Sequence, residues 1–408
     1  MFDRQRHIPL IPDATWQAAS GRTFIETYFA EAETTFAEQG NWPAHEDDGP
    51  VPAAKCHYPL YLGLAGICWA QLELAARGYG QVQNDYSDAV LTARSIQQNE
   101  LRAEMTFENE ADYKHGLLIA DLGFMAPLLR LDPAEQWRQE TLSIISENLE
   151  NSVLELLWGS PGSLLMLSAL IKSGVIAAEH NVLLDRGLSY LEDQLVTSPS
   201  TGAELWEQHL YGKHLRLTGA GHGFAGVGLA ILRALPLLST RDANRWESRL
   251  RATTIATATT ENGFANWAPG IDQTDSPLPN WLVQFCHGAP GVIMCLADLM
   301  GVDEQFDALM LSGAALTFAA GPLTKGGNFC HGTAGNGYAF LKVFEQTQDQ
   351  IWLDRARQFA ATAMVQVQQN KLQHNGYHYS LWTGDTGVAL FVDACLRSDS
   401  SMPTLDNF

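Results

Sequence analysis

The stretch CHGTAG (residues 330–335), with the segment NGYAFL that follows it, contains the pattern that decides the fold. Two glycines three positions apart precede a segment of helical composition, and this G-x-x-G pattern occurs seven times along the chain. Small and apolar residues after each copy would cover nearly all sides of a helix, so these helices must be buried. The copies are GLAG (63–66), ADLG (120–123), GSPG (159–162), GFAG (223–226), GAPG (288–291), GTAG (332–335) and GDTG (384–387), with Ala120 replacing the first glycine of the second copy.

The distance between copies leaves room for two helices in each repeat. Intervening segments such as QIWLDRARQFAATAMVQVQQ (350–369) carry charge on one face and apolar residues on the other, as an outer helix would. An open superhelical stack would expose its apolar terminal helices, whereas a closed ring buries them. We therefore predict an all-α fold, an α/α toroid of seven inner and seven outer helices built from seven G-x-x-G-marked hairpins. One domain would span residues 1–408, with residues 1–50 as the N-terminal lead-in and first outer helix, and short β-hairpins are expected near residues 264–267 and 377–379.

Composition limits the class of partner. The chain has 408 residues, 46% of them hydrophobic, and 25 Lys and Arg against 46 Asp and Glu give a formal charge of −21. Such a charge repels nucleic-acid phosphates and anionic membrane surfaces, so neither is expected as a partner. The N-terminus MFDRQRHIPLIPDATW mixes charges and prolines, and no run of about 18 apolar residues follows. We expect a soluble, cytoplasmic protein.

Two adjacent repeats carry the same three residues, Cys286-His287-Gly288 and Cys330-His331-Gly332. In a closed ring these loops would face one another at one rim. Thiolate and imidazole are preferred zinc ligands, and a catalytic zinc keeps three protein ligands and one open position. Neighbouring residues rarely bind the same ion, so two ligands from one loop and one from the other are expected, without a choice among the four. A structural zinc site would favour four closed ligands, often with a CxxC spacing that this chain lacks.

With these motifs the chain resembles the lanthionine synthetase C-like family, and among its members the stand-alone, glutathione-binding proteins more than the cyclases of lanthipeptide operons. The resemblance covers nearly the whole chain and implies the seven-by-seven toroid. The matching stretches are ELLWGSPG (155–162), GAGHGFAG (219–226), LVQFCHGAPGVI (282–293), KGGNFCHGTAGNGYAFL (325–341), YSLWTGDTG (379–387) and the tail PTLDNF (403–408).

The resemblance also assigns site residues. It implies one zinc ion per chain on Cys286, Cys330 and His331, with His287 beside the site as a substrate-facing or supporting residue. The acid–base histidine of the family falls on His222 and its acidic partner on Glu155. Lys325 matches a position that contacts glutathione in stand-alone members, and Arg6 matches their N-terminal arginine.

The chain departs from the family pattern at a few positions. Operon cyclases have an arginine where this chain has Leu282, and often tyrosine at the position of His287. This departure argues against intramolecular ring formation. Ser160 replaces the arginine usual in stand-alone members, and the stretch before His222 is about two residues longer than in them, so substrate preference is expected to differ.

The resemblance implies an enzyme that adds a thiol, from glutathione or a peptide cysteine, to dehydroalanine or dehydrobutyrine and forms a thioether. Zinc would favour the thiolate, because a free cysteine thiol has a pKa near 8.5. His222 would supply the proton and Glu155 would orient it. The alternatives are a lanthipeptide cyclase, a non-catalytic glutathione-binding scaffold, and a glycan-active toroid enzyme, for which no well-placed carboxylate pair stands out.

Overall fold

The structure is a computed structural model that describes residues 1–49, 56–104, 111–210, 212–239, 242–272 and 281–408. Helices dominate the described residues. They are α1 (Ala18–Gln39), α2 (Leu64–Ala76), α3 (Ser87–Glu104), α4 (Ala111–Lys114), α5 (Leu122–Leu131), α6 (Glu135–Asn148), α7 (Ser160–Lys172), α8 (Asn181–Asp193), α9 (Phe224–Ala234), α10 (Ala243–Thr257), α11 (Ala289–Leu296), α12 (Glu304–Ala320), α13 (Thr333–Thr347), α14 (Gln350–His374) and α15 (Asp385–Arg397).

The seven inner helices are α2, α5, α7, α9, α11, α13 and α15, and each follows one copy of the glycine pattern. Six begin at the residue after the first glycine, and α5 begins two residues after Ala120. Nearly every residue of α7, α9 and α11 is buried. The helices α1, α3, α6, α8, α10, α12 and α14 form the outer layer, and aspartate side chains accept backbone N–H groups at the start of α10, α12 and α14. The predicted all-α toroid of seven inner and seven outer helices is confirmed.

The strands form three small antiparallel ribbons among the described residues: β1 (Val196–Thr197) with β2 (Glu204–Leu205), β3 (Gln208–Leu210) with β4 (Lys213–Leu215), and β5 (Ala258–Glu261) with β6 (Phe264–Trp267). The last confirms the hairpin expected near residues 264–267. The hairpin expected near residues 377–379 is wrong. That segment is an irregular loop, because the backbone of His378 bonds to the start of α15 instead of to a second strand: its N–H donates to the Asp385 side chain and its carbonyl accepts the Asp385 N–H.

The second glycine of each repeat is required by close packing. A Cβ added there would lie 1.8–2.4 Å from the carbonyl oxygen six residues earlier and 2.8–3.0 Å from a side chain of the neighbouring repeat. The pairs are Gly66 with Leu381, Gly123 with Leu60, Gly162 with Leu117, Gly226 with Leu156, Gly291 with Ala220, Gly335 with Phe285, and Gly387 with Phe329. The first pair joins repeat one to repeat seven, so the ring is closed.

Backbone hydrogen bonds follow the same circle at the rim. Each joins the residue five positions before a second glycine to its counterpart in the next repeat. The bonds run from the amide of Tyr61 to Leu118 (2.7 Å), Leu118 to Leu157 (3.1 Å), Gly221 to Cys286 (3.4 Å), Cys286 to Cys330 (3.1 Å), Cys330 to Trp382 (2.9 Å) and Trp382 to Tyr61 (3.0 Å). At the remaining step the amide of Leu157 donates to the carboxylate of Glu155 instead, at 3.0 Å.

The C-terminal tail enters the inner ring from the end opposite this rim. Asp406 pairs with Arg233 near the end of α9 at 2.6 Å, while the hydroxyl of Thr404 accepts the indole N–H of Trp382 at 3.2 Å. Met402 and Thr404 are fully buried. The tail thus fills the centre of the ring beneath the loops of the rim. In the part of the chain that the structure describes, no helix has both the length and the apolar character needed to cross a membrane.

Candidate metal centre and active site

The loops that begin repeats four, five and six lie side by side, because the amide ring fixes Gly221, Cys286 and Cys330 in sequence along the rim. A Cβ on Gly221 would lie 3.3 Å from the Cβ of Cys286. This close approach places His222, the next residue, beside the two cysteines. The structure therefore brings together the two Cys-His loops and the loop that carries His222.

The thiols of Cys286 and Cys330 form a hydrogen-bonded pair. The hydrogen bond from Cys330, with a second from the Gln284 side-chain amide to Cys286 Sγ at 2.9 Å, lowers the pKa of Cys286 to about 7 despite its burial. The pKa of Cys330 is raised, because its proton is held between two sulfurs and is buried. Tyr61 also hydrogen-bonds Cys330. The first thiol of the pair therefore ionises more readily than a free cysteine, and metal binding would release the proton that the two sulfurs share.

His331 follows Cys330 and lines a cavity at the rim. Burial and the nearby charge of Lys325 lower the pKa of His331 to about 4, so the imidazole is neutral and can bind a metal. The chemistry of two thiols and a neutral imidazole fits zinc. Among the described residues, however, Cys286, Cys330 and His331 do not form a group whose ligand atoms all lie within 4.8 Å of one another. His331 completes the set only if its side chain turns toward the thiols.

His287 lies beside this group and faces a different direction. Its Nδ1 is buried without a hydrogen-bond partner among the described residues, and a Cβ on Gly219 would lie 3.0 Å from it. Burial lowers the pKa of His287 to about 4, and the charge of His222 adds to the effect. The ring is therefore packed against the backbone of the preceding loop.

His222 and Glu155 form a direct pair, with 2.7 Å between Nδ1 and Oε2. The Glu155 side chain is fully buried and also accepts the amides of Leu157 and Trp158, at 3.0 and 2.6 Å. Burial lowers the pKa of His222, but the hydrogen bond and charge of Glu155 outweigh burial and raise it. The imidazole is 24% exposed, so part of the ring is open to solvent.

The two basic residues, Arg6 and Lys325, lie in adjoining segments near the cysteine loops. Arg6 donates from Nη2 to Gln284 Oε1 at 2.7 Å, and Gln284 in turn donates to Cys286. The backbone around Arg6 pairs with residues 322–324, through the amides of Ile8 and Thr324. Lys325 is exposed and lines, with His331, a cavity of about 650 Å³. Both cations are therefore close enough to His331 to lower its pKa.

Gln284, Tyr61 and Asn328 were not predicted from the sequence. Gln284 and Tyr61 bond the two thiols, and the Asn328 side chain accepts the amide of His331 at 3.1 Å. Gln284 lies two residues before Cys286, and this short spacing could have indicated that its side chain reaches the thiol. Tyr61 is the counterpart of Cys286 and Cys330 in repeat one, which aligning the seven loops would have shown.

Comparison with known proteins gives a family match, two relatives and one solved structure. The family model for lanthionine synthetase C-like protein matches residues 56–406. Glutathione S-transferase LANCL1 of Danio rerio is 27% identical over 232 residues, which is 56% of this chain and 50% of that protein. LanC-like protein GCL1 of Arabidopsis thaliana is 30% identical over 198 residues, 46% of this chain and 43% of that protein. The matched regions thus span about half the length of these relatives.

A solved structure, nisin cyclase, has the same fold. It superposes with a TM-score of 0.56 over 91% of this chain and 93% of its own, at 15% sequence identity. At that identity the likeness concerns the toroid alone.

Proposed function

Because the chain belongs to the lanthionine synthetase C-like family, we propose that it is a zinc-dependent enzyme that adds a thiol to dehydroalanine or dehydrobutyrine residues of a polypeptide. The observation that carries this proposal is the position of the His222–Glu155 pair beside the Cys286–Cys330 pair. Such a neighbourhood provides a site for a thiol nucleophile next to a proton donor. The similarity to a glutathione S-transferase of Danio rerio favours glutathione as that thiol.

The reaction forms a bond between the thiol sulfur and Cβ of the dehydroamino acid, and the proton released by the thiol is balanced by one delivered to Cα. The S–H bond of the thiol and the π bond between Cα and Cβ break as the C–S and Cα–H bonds form, so the reaction needs no oxidant or reductant. Cys286, Cys330 and His331 would hold the zinc ion, which supplies the Lewis acidity that favours the ionised form of a thiol at neutral pH. The Gln284 amide would keep Cys286 oriented.

His222 would deliver the proton to Cα. The pair with Glu155 favours the protonated imidazole, and the exposed part of the ring faces the rim. Because the Glu155 carboxylate is held by two backbone amides, it keeps the imidazole in one orientation. His287 packs too tightly against the loop at Gly219 to reach the same point, and we propose that it shapes the substrate side of the site.

Arg6 and Lys325 would bind the carboxylates of glutathione, which is an anion. In a chain with a formal charge of −21, an anionic substrate requires local positive charge to stay bound. Arg6 contacts Gln284, and Gln284 contacts Cys286, so a single side chain separates the guanidinium from the thiol. The same position would orient the thiol of the substrate toward the cysteine loops.

The proposal is tested by incubating the protein with glutathione and a dehydroalanine peptide that also contains a cysteine, followed by mass spectrometry. We expect the glutathione adduct to exceed the cyclised peptide, because Leu282 stands where operon cyclases have arginine. Ring closure without any adduct would identify a cyclase, and zinc and glutathione binding without either product would identify a scaffold. A variant with Cys330→Ala should form neither product.

A further inference from the structure

Three histidines lie together on another part of the same rim. His45 precedes a short 3-10 helix, Glu46–Asp48. His374 ends α14, and His378 lies in the loop before α15. The ring of His45 stacks on that of His378 with 4.1 Å between centroids and meets His374 edge-on at 4.6 Å. Neither the glycine pattern nor the proposed reaction accounts for this histidine cluster of His45, His374 and His378.

Burial sets this cluster apart from surface histidines. His45 and His378 are 9% and 4% exposed. The Nε2 atom of His45 and the Oδ1 atom of Asp48 are buried with no hydrogen-bond partner among the residues that the structure describes. Buried polar atoms normally have partners, because an unpaired one loses its hydration without compensation. These two atoms therefore point to a bound group.

Hydrogen bonds in the cluster occupy one nitrogen in each of two rings. Asp48 Oδ2 lies 2.8 Å from His378 Nε2, which leaves Nδ1 of that ring for a ligand. The amide of Asp47 donates to His45 Nδ1 at 3.2 Å, and the Asp47 carboxylate lies 3.5 Å from the same nitrogen, which leaves Nε2 unpaired. Because the two rings stack nearly parallel, one of them must turn for both to bind the same ion. A carboxylate or backbone group on one ring nitrogen fixes the tautomer and the direction of the other.

A purely structural role explains part of the arrangement. The contacts of Asp48 with His378 and of Glu46 with His374, at 2.8 and 3.1 Å, tie the N-terminal segment to the end of α14 and the loop after it. These contacts do not account for the unpaired His45 Nε2 or for the carboxylate of Asp47. One ligand atom each from His45, Asp47 and His378 lie within 4.8 Å of one another, a spacing that one ion can close.

We propose that His45, Asp47 and His378 form a second metal site, separate from the cysteine loops, that binds a divalent transition metal of the zinc type. Two imidazoles and a carboxylate are a ligand set that zinc accepts and that calcium or magnesium does not prefer. Asp48 is a positioning residue that holds His378. The inference does not depend on the proposed thiol addition, since none of its ligands belongs to that reaction.

The site would lie in the wall of the cavity that Lys325 and His331 also line, because Asp47, Asp48 and His378 face the same space of about 650 Å³. A divalent cation there would add positive charge to a cavity that three aspartates line. An anionic substrate in the cavity would then meet this cation as well as Lys325.

The experiment measures zinc binding by equilibrium dialysis in a Cys286→Ser, Cys330→Ser double variant, freed of metal by a chelator. We expect about one zinc ion per chain to remain bound, and His45→Ala in this background to remove it. The matched control is His209→Ala. His209 belongs to the Glu207, His209 and His214 group, which has the same ligand spacing but is more exposed.

Cobalt substitution keeps the test decisive where His45→Ala alters the fold of its segment. The double variant should give the visible absorption of a nitrogen- and oxygen-ligated cobalt site, without the thiolate charge-transfer band that the cysteine loops would add in the wild type. Absence of bound zinc in the double variant would overturn the proposal. So would zinc binding that survives His45→Ala and disappears in His209→Ala.

Discussion

The thiol pair of Cys286 and Cys330 can be tested by the metal it retains. Cys330→Ala should lower the zinc content of the purified protein by about one ion per chain, because a site with two remaining ligands holds zinc weakly. Cys295→Ala is the control, since that cysteine is buried in the core and burial raises the pKa of its thiol. The measurement is elemental analysis of the purified proteins. Equal zinc content in Cys330→Ala and wild type would remove Cys330 from the ligand set.

His222 should be needed for the reaction but not for the metal. His222→Asn should reduce the rate of adduct formation by about 10² to 10⁴, the usual effect of losing general acid–base assistance. Zinc content should not change. Single-turnover kinetics, with zinc analysis of the same samples, separates the two effects. Zinc loss in His222→Asn would show instead that the imidazole is a ligand.

The residue types of this site could be predicted from the sequence, but the contacts that hold those residues in place could not. The doubled Cys-His-Gly indicates adjacent loops, and the structure places Cys286 and Cys330 in contact. Nothing local in the sequence indicates that Glu155 is fully buried and takes the place of a backbone carbonyl in the amide ring. That role depends on an interruption between repeats three and four, which appears only when the ring is closed.

At the scale of the helical hairpin, the second glycine of a repeat should be irreplaceable. In Gly66→Ala the new Cβ would lie 2.0 Å from the Leu60 carbonyl oxygen and 2.9 Å from Leu381 Cβ. We expect a loss of about 3 kcal/mol or more in the free energy of unfolding. The backbone on one side and another repeat on the other cannot both move to make room for the added methyl group. Gly376→Ala is the matched control, since a Cβ there meets nothing within 4 Å. Denaturant unfolding of both variants measures the difference, and similar midpoints would contradict the packing argument.

The elements that repeat were predictable, and those that occur once were not. Seven copies of one pattern average out local irregularity, so each inner helix begins at or near the expected glycine. Ribbons β1–β2 and β3–β4 have two or three residues per strand, too few for an alternating pattern to appear. The aromatic run near residues 377–379 resembles a strand because its side chains are buried, but burial there comes from packing against α1: the ring of Tyr28 lies 5.1 Å from that of Tyr377.

At the scale of the whole molecule, the tail should contribute a pH-dependent part of stability. The pKa of Asp406 is lowered from 3.8 to about 2, because the charges of Lys342 and Arg233 outweigh the effect of its burial. A lowered folded-state pKa means that this stabilisation is complete above the unfolded pKa near 4 and is lost as the pH falls toward 2. Asp406→Asn should therefore cost roughly 2 to 4 kcal/mol at pH 7.

The difference between Asp406→Asn and the wild type should shrink between pH 4 and pH 2, as measured by denaturant unfolding across that range. Asp399→Asn is a control of the same chemistry, because Asp399 pairs with the partly exposed Arg397 outside the ring. A constant difference at all pH values would show that the tail is held by packing of Met402 and Leu405 and not by the charge.

The closed amide ring also fixes the order in which the rim can form. The amide of Cys330 bonds to Trp382, whose own amide bonds to Tyr61, so the sixth loop rests on the seventh and the seventh on the first. The indole of Trp382 in turn donates to Thr404 in the tail. Because the first and seventh loops must meet before the sixth loop is supported, the rim can close only after the seventh repeat has been synthesised. Until then the two cysteine loops lack the neighbours that hold them in the finished ring.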